Sequence, residues 1–140
     1  MEDRLKKWEE KLHAKGHRIT LPLREVMKVI ISSPRPLTPM EIFDSARINI
    51  PQIGLVTIYR SIEKLEELGL VDHIHHINEC QTVFPTSGPH KHLIICEKCG
   101  RSVYFEGLEI ENEFQRIAKQ AGYQLTSHWL QLSGVCNNCL

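Results

Sequence analysis

The sequence predicts an α+β chain in two parts: a helical N-terminal domain that ends in a β-hairpin, and a small mixed α/β C-terminal domain. Three observations predict it. Four helical patterns follow one another over residues 1–68. Two short β-prone runs come next and then a Pro/Gly-rich break. Two matched C-x2-C pairs, Cys96/Cys99 and Cys136/Cys139, lie beyond that break.

The first helix is expected over residues 3–15, where Leu5, Trp8 and Leu12 repeat at helical spacing in a charged segment and Gly16 ends it. Thr20 can cap a second helix running to about Ser32, with Leu23, Val26, Met27 and Ile30 on one face. Ser33-Pro34-Arg35-Pro36 stops that helix. Thr38-Pro39-Met40-Glu41 is a capping box with proline at the first helical position, opening a third helix to about Ala46. The fourth helix spans Gly54 to Leu68 before Gly69. Its buried stripe is Leu55, Ile58, Ile62 and Leu65; Arg60 points nearly opposite, Thr57 flanks the stripe and Tyr59 lies at its edge.

Residues 70–77 and 80–84 read as a hairpin around Asn78-Glu79. Three helices and a hairpin make a winged helix-turn-helix, in which the last helix enters the DNA major groove. This domain is placed at 1–84, and Pro85 to Pro89 is the linker. Residues 90–140 form the second domain. Leu93-Ile94-Ile95 and Val103-Tyr104-Phe105 are its first strands. Ile110, Phe114, Ile117, Ala118 and Ala121 mark its helix, and Tyr123 to Leu132 its third strand. So small a domain is expected to need a metal staple or a dimer interface.

Composition narrows the function classes. The 140 residues carry zero formal net charge. Residues 1–68 hold two excess positive charges and residues 69–140 two excess negative ones, so any DNA contact must come from a local patch. The start is charged and has no apolar signal-like core, and no stretch is long and apolar enough to span a bilayer. The expected location is the cytoplasm, with no membrane partner and no small-molecule substrate.

The paired C-x2-C turns are the strongest signal. Each turn presents two thiolates, and Zn²⁺ takes four in a tetrahedron with sulfur at about 2.3 Å. Such a site is closed and therefore structural. Two disulfides would use the same residues, but cytosolic thiols stay reduced. A second constellation surrounds it. His90 and His92, two apart on an extended segment, can face one metal. Cys80 is left over on the hairpin, and Asp72, His73, His75 and His76 lie on the opposing run. Glu111 and His128 are further candidates, weighed against the simple preference of acids for a helix first turn.

In this order the motifs resemble the ferric uptake regulator family of metal-sensing repressors, across the whole chain. Gly16-x-Arg18-x-Thr20-x3-Arg24 is similar to its second-helix entry, and Thr57-Ile58-Tyr59-Arg60-x-Ile62-x2-Leu65 to its recognition helix. His90-x-His92 before Cys96-x2-Cys99-Gly100, then Thr126-x-His128 and Cys136-x2-Cys139, complete the pattern. The resemblance implies a homodimer closed by a regulatory metal over a palindromic double-stranded DNA operator. It implies base contacts from Tyr59 and Arg60, and a backbone or minor-groove approach by Arg18.

Iron and peroxide sensors of the family use carboxylates where this chain has Pro85 and Tyr104. Zinc sensors are similar to this chain in placing a sulfur and an Asp or His nearby. The regulatory set implied is Asp72, Cys80, His90 and His92, suited to Zn²⁺, with Fe²⁺ or Mn²⁺ as the alternative. Glu111 and His128 form a possible third site. Three residues separate His92 from Cys96, where the family usually has two. That is a bulge or a change in which histidine serves which site. A nucleobase deaminase is disfavoured because no H-x-E occurs and Ile95 precedes Cys96. Two C-x2-C pairs without a nearby βαβ pattern argue against a thiol oxidoreductase, and the Tyr59-Arg60 helix face argues against a zinc ribbon without DNA binding.

Overall fold

The computed structural model describes residues 1–74, 81–86 and 91–140. The Asn78-Glu79 turn, His75, His76, Cys80 and His90 lie outside the described residues. The chain forms two compact units, Met1–Thr86 and Ser87–Leu140. The division falls inside the stretch expected as linker. Pro85 still pairs with Val71, and the Thr86 N–H donates to Leu70 O at 2.9 Å, so both residues belong to the first unit.

In the first unit, α1 (Glu2–Ala14) buries Leu5, Trp8 and Leu12, the spacing that predicted it. Helix α2 (Leu21–Ser32) starts where Thr20 Oγ1 accepts the Leu23 N–H at 3.3 Å. Helix α3 (Pro39–Asn49) opens on the expected capping box. The Glu41 N–H donates to Thr38 Oγ1, and the Thr38 N–H donates to Glu41 Oε2 at 2.8 Å. It runs one turn past Ala46, held there in part by Asn49, whose Nδ2 donates to buried Glu25 Oε1 at 2.7 Å. Helix α4 (Leu55–Glu67) buries Ile58, Ser61, Ile62 and Leu65; Leu55 is half-buried. Gly69 at φ +64° turns the chain out of α4, with its N–H on Glu66 O and that of Leu70 on Leu65 O.

Strands β1 (Val71–Ile74) and β2 (Thr82–Pro85) pair antiparallel. Leu37 bonds Val83 through both backbone groups at 3.0 and 2.8 Å, adding a one-residue third rung that the prolines around it concealed. Helices and sheet share one core, from Leu12 through Met27, Ile42 and Ile58 to Val83.

In the second unit, β3 (Lys91–Cys96) is the centre of a sheet ordered β4-β3-β5. Strand β4 (Ser102–Glu106) pairs with it antiparallel and β5 (Gln131–Gly134) parallel. Helix α5 (Leu108–Gln120) follows β4. The expected strand Tyr123–Leu132 is corrected to Gln131–Gly134. The parallel register starts at Leu93↔Gln131, so residues upstream of 129 would fall opposite positions before β3 begins. Among the described residues the unit buries little: Leu93, Ile95 and Cys96 are its buried apolar side chains, and α5 buries none.

Candidate metal centres and nucleic-acid face

The four cysteines converge in the second unit. Cys96 ends β3, Gly100 turns the chain back at φ +74°, and a 3₁₀ turn, Asn137–Cys139, carries the last pair. Their four sulfurs lie within 4.8 Å of one another. Cys99 Sγ and Cys136 Sγ are 3.8 Å apart, and all four are free thiols. Sulfurs about 2.3 Å from a shared tetrahedral centre stand about 3.8 Å from each other. A disulfide needs about 2.05 Å.

The site's electrostatics suit a cation. The backbone N–H groups of Cys136 and Cys99 draw the Cys96 thiol down to about 6. The Cys139 thiol is pushed up to about 12 by its hydrogen bonds with the thiols of Cys136 and Cys99. One thiolate is thus favoured mainly by backbone N–H groups, while the last resists ionisation beside its neighbours. A divalent ion removes that conflict, and its binding releases protons. The four residues fit Zn²⁺ as a closed, structural site.

A second cluster unites His92, Glu111 and His128, whose ligand atoms also lie within 4.8 Å. Glu111 Oε1 stands 2.9 Å from His92 Nε2 and 2.8 Å from His128 Nε2. Phe105 and Phe114 pack on the His92 ring at 5.6 and 6.3 Å between centroids, and Phe114 on His128 at 4.9 Å. His92 is buried, and its Nε2 faces the Glu111 carboxylate rather than solvent. Burial pushes the Glu111 carboxyl up, but the hydrogen bonds and charges of His128 and His92 outweigh it and hold the carboxyl below its ordinary value. A buried ring nitrogen, a carboxylate held ionised and a second imidazole converging within 4.8 Å fit a divalent ion.

The sequence alone puts His92 in the regulatory set and keeps Glu111 with His128. The structure brings all three together. Strand parity is the reason. With three intervening residues, His92 lies on the same sheet face as Ile94 and Cys96, where α5 supplies Glu111 and Phe114. With two, it would face the other way. Gly107 gives no signal in the sequence. A Cβ there would stand 3.0 Å from His92 Cδ2, so glycine makes room for the ring. Asp72 is exposed on β1. Beside it, His73 Nε2 contacts Glu66 Oε1 of α4 at 2.6 Å.

On the first unit, α4 shows the expected outward residues. Tyr59 and Arg60 are exposed and Thr57 is half-buried, its carbonyl accepting from Ser61 Oγ. Arg18 is exposed before α2. Neither guanidinium has a side-chain partner among the described residues. Thr20, Leu23, Thr57, Arg60 and Lys64 line a groove of about 440 Å³ between α2 and α4. No helix among the described residues is long and apolar enough to cross a membrane.

The profile of the "Ferric uptake regulator family" matches residues 14–133. A ferric uptake regulation protein of Campylobacter jejuni is 30% identical over 137 residues, covering 96% of this chain and 87% of that protein. The Helicobacter pylori ferric uptake regulator, described with three functional metal-binding sites, superposes with a TM-score of 0.75 at 25% identity, covering 99% and 92% of the two chains. A zinc uptake regulator complexed with zinc and DNA shares the fold at a TM-score of 0.78 and 21% identity, over 99% and 93%. With these matches, the chain belongs to the ferric uptake regulator family and is a metal-responsive transcriptional repressor, not an enzyme.

Proposed function

We propose that the protein is a cytoplasmic, zinc-responsive repressor of zinc-uptake genes, acting as a homodimer on a palindromic operator. The observation that carries the zinc reading is the donor inventory. Pro85 and Tyr104 stand where oxygen ligands would favour iron, and Cys80 adds a fifth cysteine outside the four-sulfur cluster. Thiolate donors select zinc over harder ions. Cys96, Cys99, Cys136 and Cys139 hold the structural Zn²⁺. Asp72, Cys80 and His90 are the proposed regulatory ligands. His92, Glu111 and His128 form a further site in the second unit.

The chemistry asked of these residues is binding and positioning. A metal shifts an equilibrium only by its differential affinity for the two states, so sensing requires that the regulatory ligands hold it more tightly in the DNA-binding state. The C-terminal unit is suited to self-association: Ile94, Val103 and Leu132, neighbours on one sheet face, are 40%, 51% and 42% exposed in the single chain. On the first unit, α4 enters the major groove. Arg60 and Tyr59 contact bases, Thr57 assists and Arg18 contacts the backbone.

The test is Cys80→Ser. The variant should keep its tightly held zinc and its dimer but lose zinc-dependent operator binding. Parental zinc-dependent binding would exclude Cys80 as a ligand. One observation favours a second reading. His92, Glu111 and His128 form a two-histidine, one-carboxylate set, a combination that also suits Fe²⁺, so an iron- or peroxide-responsive repressor is the alternative.

A further inference from the structure

We propose that Val56 is a specificity-determining residue that reads the 5-methyl group of a thymine in the operator. The inference rests on α4 being the recognition helix. Val56 lies in the first turn of α4 and is 63% exposed. A scattered exposed valine is ordinary on a protein surface, and valine is a mediocre helix former that gains nothing here from core packing. Its neighbours make it different. Tyr59, 48% exposed, follows at i+3 and the exposed Arg60 at i+4, so the three share one outward face. The opposite face, with Ile58, Ile62 and Leu65, is in the core.

The N-terminal part of a recognition helix is the part that meets base edges. In the major groove only thymine presents a methyl group, and apolar side chains are what contact it. Val56 can offer a base edge no hydrogen bond, so its contribution there is apolar and selective for thymine. Spacing places the target. Four residues of helix rise about 6 Å, and stacked bases are about 3.4 Å apart, so the thymine should lie within about two base pairs of the base met by Arg60.

The test uses the full-length, zinc-loaded protein and an operator it selects from a random duplex pool. Each thymine of one half-site is replaced in turn by deoxyuridine, which deletes the methyl and keeps every hydrogen-bonding group. The parent should bind one such duplex about fourfold more weakly, the effect of losing one buried methyl-sized group. In Val56→Ala that penalty should vanish while penalties elsewhere persist, with an unchanged melting curve. A uracil scan of Val56→Ala identical to the parent's, or a parent indifferent to every replacement, would overturn the inference. Arg60→Ala separates the two levels. Weakened operator binding with a scan insensitive to Val56 sinks this proposal alone, whereas unchanged binding sinks the recognition-helix reading with it.

Discussion

Replacing Cys96 and Cys99 together by serine should dismantle the second unit and spare the first. The unit's two large buried aliphatic side chains, Leu93 and Ile95, stabilise it by about 3–6 kcal/mol when fully buried. A structural Zn²⁺ in a small domain is worth about 10–16 kcal/mol at neutral pH, all of it folding energy. The metal therefore stabilises the unit more than its buried side chains do. Cys96 links the metal to the central strand because it is the last residue of β3, and its sulfur also accepts the Cys136 N–H at 3.3 Å, tying the two cysteine turns together. The first unit has its own core around Leu12, Met27, Ile42 and Ile58 and should remain folded. Hydrogen exchange should show β3 amides losing protection while α2 and α4 keep theirs. Circular dichroism should lose no more helix than the 13 residues of α5, and sedimentation should report a monomer. A zinc-free double variant with protected β3 amides and an intact dimer would refute this reasoning.

Arg60→Ala should weaken specific operator binding by about 1–3 kcal/mol, while Arg18→Ala should weaken all duplexes alike and flatten the salt dependence; the reverse pattern in salt-dependent binding isotherms would exchange their roles. Gly107→Ala should push His92 away from Glu111, because the new Cβ would stand 3.0 Å from the ring. Metal analysis of the purified variant should show weaker occupancy of that site with the four-cysteine zinc retained. Glu41→Gln should make the first unit less sensitive to acid. The hydrogen bond from Arg35 at 2.6 Å holds the Glu41 carboxyl below its ordinary 4.5. Its contribution is thus present above that value and lost as pH falls through the lower, folded-state one. Thermal melts between neutral and acid pH should show a shallower decline in the variant.

The first unit was legible because its signals are local. Thr20 and Thr38 cap the helices they precede, and Leu5, Trp8 and Leu12 bury at the spacing they advertise. What escaped depends on pairing across the chain. Leu37 joins β2 although it sits after Pro36 in a segment that reads as a turn. The last strand is short because its parallel partner, β3, begins only at Lys91, a limit no window around Tyr123 could reveal. The four-cysteine cluster was readable because each pair is a tight turn. The allegiance of His92 was only half readable: the extra residue before Cys96 showed in the spacing, but its choice between a bulge and a change of sheet face, which brings His92 to Glu111 and His128, did not.

Zinc, not iron or manganese, is proposed to drive operator binding. The direct measurement is the affinity of the full-length dimer, with its four-cysteine zinc in place, for its selected operator at buffered free Zn²⁺, Fe²⁺ and Mn²⁺ under anaerobic conditions. Tight, specific binding should rise with free zinc at concentrations where the other two ions leave the DNA unbound. Saturation by Fe²⁺ below the concentration at which zinc acts would contradict that proposal and identify an iron sensor.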